Sequence, residues 1–223
     1  DDSLEQAQRN KIDHVCRKIR LAPGERFVDI GCGFGGFMFR AFEMLGALGT
    51  GINTTTEQVE WLRAEIERRG LAGKLNVREA DFREVDGQYD KVVSIGTLEH
   101  AGRDQLAVVV RAHAAFLKPG GLGMLHFIGH VGHFQTEFFI RKHVFPGGWI
   151  PSLAHTLAAM ERAGDRRAGI ATGRDEYGQR GVVGPAQSRQ TRSEYACADV
   201  LECPGRAVEQ FQQVGATVVQ SNQ

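Results

Sequence analysis

A glycine-rich turn preceded by a carboxylate is the most informative feature of the sequence. Residues 28–36 read VDIGCGFGG, with Asp29 just ahead of Gly31 and Gly33. Because glycine has no Cβ atom, the backbone there can turn sharply and approach a ligand closely. In open α/β folds, ligands bind at the carboxyl edge of the sheet, where a strand enters such a turn. We therefore predict a ligand site with Gly31 and Gly33 as contact points.

Three interpretations of this turn compete. Gly31, Gly33 and Gly36 match the G-x-G-x-x-G spacing of dinucleotide sites, in which the pyrophosphate lies at a helix N-terminus. A carboxylate at Asp29 would repel a pyrophosphate, but it can pair with the amino-acid ammonium group of S-adenosylmethionine. The sequence favours S-adenosylmethionine, with a nicotinamide or flavin dinucleotide and a purely structural turn as the alternatives.

Polar residues also follow the second and third predicted strands. The segment GINTTTEQ offers Asn53 and Gln58 where an acidic residue would ordinarily hold ribose hydroxyls, and neutral amides can bind a diol as well. Asp81 and Phe82 would bring a carboxylate and an aromatic face to an adenine, with an ordinary strand-end loop as an equal alternative. We predict these four residues, with Asp29, as cofactor-binding.

A carboxylate and an imidazole follow the fourth and fifth predicted strands. Glu99 and His126 there could hold a small oxyanion or accept a proton. The alternative for Glu99 and His100 is an acidic helix start that stabilises the helix dipole. His126, His130 and His133 also suggest zinc, but no cysteine or helical H-E-x-x-H motif accompanies them, so we predict no metal.

Aromatic and basic residues are concentrated after the fifth strand. We predict that residues 129–163 form an inserted, helical substrate-binding element. Within FFIRKHVF, the cationic Arg141, Lys142 and His143 could meet a lipid phosphate or the phosphopantetheine of an acyl carrier. The default interpretation of this stretch is a helix packed on the core with a solvated basic edge. Three phenylalanines could shield an acyl chain or stabilise a cation, namely Phe134, Phe138 and Phe139.

The elements that would position these residues alternate along the chain. Apolar patterning predicts a leading helix with Ser3 as its cap, then strands separated by helices. Such alternation indicates right-handed crossovers and a doubly wound, mostly parallel α/β sheet of the Rossmann-like type. The predicted strands are 27–30, 48–52, 75–78, 89–95 and 121–128, and the predicted helices are 3–20, 37–45, 56–69, 104–117 and 151–163.

The 223 residues suit one catalytic domain with an appended segment. We place the core, including the insertion, at 1–163, and an irregular C-terminal segment at 164–223. Residues 164–194 hold six glycines and six arginines with few large apolar residues, which predicts loop. Residues 210–219 could supply a last, antiparallel edge strand.

Composition excludes several classes of protein. The 27 basic and 27 acidic residues balance, so no global positive field favours nucleic acid. No apolar run reaches the ~18 residues of a membrane helix, and the polar start differs from a signal peptide, so we expect a cytoplasmic protein. Without a C-x-x-C pair, the four cysteines are expected to be reduced, with a Cys197–Cys203 bridge as the alternative in an oxidising compartment.

Seven segments together resemble one family. In order they are SLEQAQRNKI, LAPGERFVDIGCGFGGF, GINTTTEQ, YDKVVSIGTLEHAG, FLKPGG, LHFIG and KHVFPGGWIPS, covering residues 3–164. In order and spacing they resemble the cyclopropane-fatty-acyl-phospholipid synthases and mycolic acid cyclopropane synthases. The glycine motif marks only class I methyltransferases, whereas SIGTLEHAG and VFPGGWIPS are more selective.

The resemblance implies an S-adenosylmethionine-dependent C-methyltransferase acting on the cis double bond of an acyl chain. In that family the double bond attacks the methyl group, and the resulting carbocation loses a proton to a bound bicarbonate as the ring closes. By resemblance, Glu99, His126 and the backbone of Ile128 form the bicarbonate pocket. Gly31, Gly33, Asn53 and Gln58 match cofactor positions.

The resemblance also implies a partner and leaves alternatives. The partner would be an unsaturated acyl lipid or an acyl carrier, met at a membrane surface, and a homodimer is an open alternative to a monomer. A small-molecule N- or C-methyltransferase on the same scaffold, or a cofactor-binding protein with weakened catalysis, is the alternative function.

Two departures from the family pattern bear on activity. The family places a pocket cysteine in a Y-S-C segment ahead of the leading helix, and this sequence starts after that point. Beyond residue 164, the helix that brings the family's pocket tyrosine is not legible, and Tyr177 or Tyr195 would have to replace it. We expect an altered closing segment over the substrate.

Overall fold

The centre of the fold is a parallel sheet whose strand order reverses beside its first strand. A computed structural model describes residues 3–130 and 135–163, together with the backbone of 169–171, 182–183 and 217–220. Five parallel strands run in the order β3-β2-β1-β4-β5. The chain moves outward from β1 to β3 and then returns to place β4 on the other side of β1. The predicted doubly wound α/β fold is confirmed, and its switch point lies between β1 and β4.

The strands are β1 (Arg26–Ile30), β2 (Leu48–Asn53), β3 (Leu75–Glu79), β4 (Tyr89–Ile95) and β5 (Leu117–His126). The helices are α1 (Leu4–Lys18), α2 (Gly36–Leu45), α3 (Thr56–Arg68), α4 (Leu106–Ala115) and α5 (Leu153–Arg162). As predicted, Ser3 caps α1, because its Oγ accepts a hydrogen bond from the Gln6 N–H over 3.2 Å. Residues 103–105 form a 3-10 turn ahead of α4, where the sequence predicted the first turn of the helix itself.

Helices cover both faces of the sheet, so β1 is buried along most of its length. Phe27 packs on one side with residues of α1, α2 and α3, including Met38 and Leu62. Val28 and Ile30 pack on the other side with residues of α4 and α5. This arrangement explains why residues 27–30 read as a nearly continuous apolar run, which is typical of a parallel strand covered on both faces.

The fifth strand differs from its prediction at both ends. It begins at Leu117 and includes the Lys-Pro-Gly-Gly segment that the sequence indicated as a preceding turn. Tyr89 pairs with Leu117 and Lys91 with Leu122, so the single residue between them on β4 is opposed by four residues of β5. This irregularity accommodates Pro119, which has no N–H to donate. The strand ends at His126, two residues before the predicted Ile128.

Short strands from the C-terminal segment extend the sheet. Residues Thr217–Gln220 pair antiparallel with β5 and overlap the stretch 210–219, where an edge strand was suggested. They are not the edge, because Gly169–Ala171 pair on their other side and in turn pair with Val182–Val183. These last two strands lie in the segment for which loop was predicted. They are too short to give a periodic signal.

The structure bears on two further expectations, the reduced cysteines and the lack of a membrane helix, only for the residues that it describes. Cys16 and Cys32 are buried free thiols, whereas Cys197 and Cys203 lie outside the described residues. In the described ranges, every helix is too short or too polar to cross a lipid bilayer.

A buried histidine in α4 is part of the second core face. His113 is 4% exposed, and its Nδ1–H donates to the carbonyl of Val109 over 2.7 Å. Within the described chain its Nε2 has no hydrogen-bond partner, and the residue lines a small cavity with apolar neighbours such as Leu117 and Met124. Burial lowers the pKa of His113 to about 4, although the Val109 hydrogen bond opposes the shift.

This histidine makes folding stability depend on pH. The folded state holds His113 neutral, whereas the unfolded chain binds a proton near pH 6.5, so stability falls as the pH drops from about 6.5 towards 4. Between pH 7 and pH 5, urea unfolding should show a loss of about 2 kcal/mol from this group. His113→Gln should lose that part of the pH dependence, and the exposed control His143→Gln should keep it. Equal pH dependence in His113→Gln and the unsubstituted protein would contradict this assignment.

Candidate functional site

The glycine turn joins β1 to α2 and is tied to the neighbouring strand β2. The N–H groups of Gly31 and Cys32 both donate to the carbonyl of Ile52, over 2.8 and 3.3 Å. Gly31 and Gly33 have φ values of +75° and +53°, in the left-handed region that favours glycine. A Cβ atom on Gly33 would meet no atom within 4 Å, so the turn presents open backbone there. A ligand can approach this backbone directly.

Asp29 precedes the turn and carries a buried carboxyl group. It is 3% exposed, and burial raises its pKa to about 7. Burial alone causes this shift. A carboxyl group buried in this way is suited to a cationic ligand, such as an ammonium group, that would favour its ionised form.

Asn53 lies at the end of β2 and links the turn to α3. Its Nδ2 donates to Gln58 Oε1 over 2.7 Å and lies 3.5 Å from the carbonyl oxygen of Gly33. Its Oδ1 accepts from the N–H groups of Thr54 and Thr55. The structure thus brings Asn53 and Gln58 together beside the glycine turn, as polar groups suited to ribose hydroxyls.

Asp81 and Phe82 follow β3 and are engaged by other side chains. The Arg83 guanidinium donates twice to the Asp81 carboxylate and holds the pKa of that carboxyl below its usual value. The Phe82 ring lies edge-on to His113, with ring centroids 5.4 Å apart. Their predicted contact with an adenine stays a prediction.

Glu99 is the most buried acidic residue of the site. It lies in the 3-10 turn Leu98–His100 after β4 and is 1% exposed. Its Oε1 accepts a 2.6 Å hydrogen bond from the N–H of Ile128, whereas its Oε2 has no partner among the described residues. Burial raises the pKa of the Glu99 carboxyl above its ordinary value, against the Ile128 hydrogen bond, which lowers it. The free oxygen is available to a small ligand or a proton.

His126 lies at the end of β5, opposite Ile95 of β4. Its carbonyl accepts from the N–H of Gly96 over 2.8 Å, which joins the two strand ends. Since Ile128 donates to Glu99, the structure brings Glu99 and Ile128 into direct contact and places His126 two residues upstream. The three predicted catalytic residues therefore occupy one region at the carboxyl ends of β4 and β5.

A strap formed by residues 145–149 contacts the backbone of Glu99. The N–H of Trp149 donates to the carbonyl of Glu99 over 3.1 Å. A Cβ atom on Gly148 would lie 2.2 Å from that same carbonyl oxygen, so this approach requires glycine. The rings of Phe145 and His100 also meet at 5.0 Å. The contact between the strap and Glu99 was not predicted from the sequence. The Gly-Gly pair ahead of a tryptophan is nevertheless a signal of a close backbone approach.

The aromatic-basic segment, residues 138–144, is exposed along most of its length. It contains the π-helical turn Ile140–Val144. Phe138 and Phe139 are 65% and 62% exposed, and the Lys142 ammonium lies 5.4 Å from the Phe138 ring centroid. Arg141, Lys142 and His143 are exposed beside them. The default prediction of a helix packed on the core is therefore wrong for this segment.

The histidines considered for a metal site are described only in part. No cluster of three or more His, Cys, Asp or Glu side chains with metal-binding geometry occurs in the described ranges. Phe134 and His133 lie outside the described residues.

Known proteins resemble this chain in sequence and in structure. The family model for mycolic acid cyclopropane synthetase matches residues 1–178. A probable fatty acid methyltransferase from Pseudomonas putida is 38% identical, with 74% of this chain and 44% of that protein covered. The cyclopropane-fatty-acyl-phospholipid synthase of Escherichia coli strain K12 is 32% identical over 72% of this chain and 41% of its own length. The chain thus spans less than half the length of these two relatives.

A solved structure shares the fold. The structure of a cyclopropane synthase from Mycobacterium tuberculosis aligns with a TM-score of 0.69 and 27% identity. The alignment covers 76% of this chain and 64% of that one.

The two central glycines of the turn should respond differently to a methyl group. Each Gly→Ala change forces alanine into a left-handed conformation at a cost of about 1 kcal/mol. Only Gly31→Ala also places a Cβ atom 2.3 Å from Thr97 Oγ1. Thermal unfolding should therefore show a larger loss for Gly31→Ala than for Gly33→Ala. In a Thr97→Ala background the two losses should become similar, and a difference that persists there would rule out this contact as its cause.

Proposed function

Because the chain belongs to the mycolic acid cyclopropane synthetase family, we propose that it is an S-adenosylmethionine-dependent C-methyltransferase acting on the cis double bond of an acyl chain. The product would be a cyclopropane, or a branched methyl or methylene group in a chain that keeps one C=C bond. The observation that carries the proposal is the buried Glu99 carboxyl, whose unpartnered oxygen lies at the end of β4, beside the switch point of the sheet.

The residues around the glycine turn fit the cofactor. S-adenosylmethionine supplies an electrophilic methyl group on a sulfonium. Asp29 would pair with the ammonium of its amino-acid part, and Gly31 and Gly33 would allow that part to approach the backbone. Asn53 and Gln58 would hold the ribose hydroxyls. Asp81 and Phe82 would flank the adenine, which requires Asp81 to share its carboxylate with Arg83.

Glu99 would either help to hold the base that removes the substrate's proton or remove that proton directly. A raised pKa favours the protonated carboxyl, whose Oε2–H could donate to a bicarbonate held with His126 and the backbone near Ile128. An ionised Glu99 could instead take the proton directly. In both cases the hydrogen bond from Ile128 fixes the orientation of the carboxyl group.

A product assay tests the proposed reaction. The protein is incubated with S-adenosylmethionine and vesicles of unsaturated phospholipid, and S-adenosylhomocysteine release and acyl mass are followed. We expect an acyl chain heavier by one methylene. Product release with small amines and unchanged lipids would indicate a small-molecule methyltransferase instead. Cofactor binding without any turnover would indicate weakened catalysis.

Glu99→Gln separates chemistry from cofactor binding. The amide keeps an acceptor for the Ile128 N–H but cannot exchange a proton, so turnover should fall by about 100-fold or more. The dissociation constant of S-adenosylhomocysteine, measured by calorimetry, should stay within about twofold, because Glu99 lies outside the glycine turn. The exposed Glu84→Gln serves as the matched control. Unchanged turnover in Glu99→Gln would remove this residue from the mechanism.

We further propose that the aromatic-basic segment contacts a lipid surface from which the acyl chain is taken. Exposed phenylalanines beside cationic side chains have the composition of an interfacial anchor on anionic lipid. Phe145 and Trp149, just after this segment, lie in the strap against Glu99. A surface bound there would therefore be connected to the candidate catalytic residue. An acyl carrier protein is the alternative donor of the chain, and the proposal holds for a monomer or a homodimer.

Vesicle binding tests the segment directly. Phe138→Ser combined with Phe139→Ser should lower the partition onto phosphatidylcholine/phosphatidylglycerol vesicles by roughly tenfold, since two exposed aromatic groups no longer insert. Met44→Ser, which removes an exposed apolar group of α2, should bind as the unsubstituted protein does. Co-sedimentation measures both. Equal binding by the phenylalanine variant and the control would refute the surface assignment without bearing on Glu99.

A further inference from the structure

Thr97 lies between the glycine turn and Glu99 and contacts the turn directly. Its hydroxyl donates to the carbonyl of Ile30 over 3.0 Å. The absent Cβ of Gly31 leaves room for the threonine, because a Cβ atom there would lie 2.3 Å from Oγ1. Glu99 follows two residues later, within the turn that Thr97 starts. One side chain therefore connects the two halves of the candidate site.

The use of this hydroxyl is unusual for its position. Thr97 is the N-cap residue of the turn Leu98–His100, where a threonine side chain ordinarily accepts a hydrogen bond from the backbone of its own helix. Its side chain makes no such bond here. The backbone pairing of β1 with β4 ends with Asp29 opposite Val93. The Thr97 hydroxyl thus supplies the next connection between these two strands, beyond the end of their ladder.

We propose that Thr97 is a positioning residue that fixes Glu99 relative to the cofactor-binding turn. This inference rests on the proposed function. The glycine turn has its own hydrogen bonds to Ile52, and Glu99 has its own from Ile128. Loss of the Thr97 hydroxyl would leave both local structures in place but free them to shift against each other. If the bound methyl donor and the catalytic group shift relative to each other, turnover falls more than the affinity for the cofactor does.

Two variants isolate the hydroxyl. Thr97→Val keeps the branched shape and removes the donor, whereas Thr97→Ser keeps the donor. We expect kcat to fall by about tenfold in Thr97→Val, with the dissociation constant of S-adenosylhomocysteine changed by less than about twofold. Thr97→Ser should restore most of kcat. A parallel loss of kcat and of affinity for S-adenosylhomocysteine, or an equal loss of kcat in both variants, would overturn the inference. If Thr97→Val does not fold, Thr97→Ala takes its place.

A spectroscopic test does not require turnover. The amide resonance of Ile128 reports on Glu99, to which it donates. Adding S-adenosylhomocysteine should shift this resonance in the unsubstituted protein and in Thr97→Ser, but by less than half as much in Thr97→Val at saturation. Equal shifts in all three proteins would refute the role of Thr97 and leave the proposed function intact. Failure of the unsubstituted protein to bind S-adenosylhomocysteine would refute the proposed function, and this inference with it.

Discussion

The parallel pairing of β1 with β4 is the constraint on which the candidate site depends. β4 can lie beside β1 only because the chain has already laid down β2 and β3 on the other side. At that reversal the loops after β1 and β4 leave the sheet on opposite faces, and a crevice opens between them. Asp29 and the glycine turn come from one strand end, and Thr97 and Glu99 from the other. The burial of both strands under helices keeps the two ends in fixed register.

Most of the architecture could be predicted from the sequence because its signals are local. Buried parallel strands give apolar runs, amphipathic helices give a 3.6-residue period, and Ser3 is placed as a cap by its residue type. The prediction failed where a tertiary arrangement decides the outcome. The segment around Pro119 belongs to β5 only because β4 lies opposite it and an irregular register can be accommodated. The short C-terminal strands likewise depend on the exposed side of β5 as a partner.

The sequence could predict which strand ends carry the site residues, but not which groups the side chains of those residues contact. Strand ends indicated Asp29, Asn53 and Glu99, because parallel strands bring their carboxyl ends to one edge. Nothing local shows that the Thr97 hydroxyl turns towards Ile30, since an N-cap threonine ordinarily serves its own helix. The partners of Asp81 and Phe82 were equally hidden, because Arg83 and His113 reach them through side-chain geometry.

Two buried carboxyl groups give this edge of the sheet its chemical character. Burial raises the pKa of both Asp29 and Glu99, so the fold holds each group nearer to its neutral form than water would. Burial alone acts on the Asp29 carboxyl, whereas Glu99 has one oxygen fixed by Ile128 and the other without a partner among the described residues. A cation beside the glycine turn would therefore favour ionisation of Asp29, while Glu99, held on the other strand end, could remain protonated. Two carboxyl groups in different surroundings can thus serve different purposes: one binds positive charge, and the other donates or accepts a proton. The pairing of β1 with β4 and the Thr97 hydrogen bond matter because these two roles require Asp29 and Glu99 to keep their relative positions.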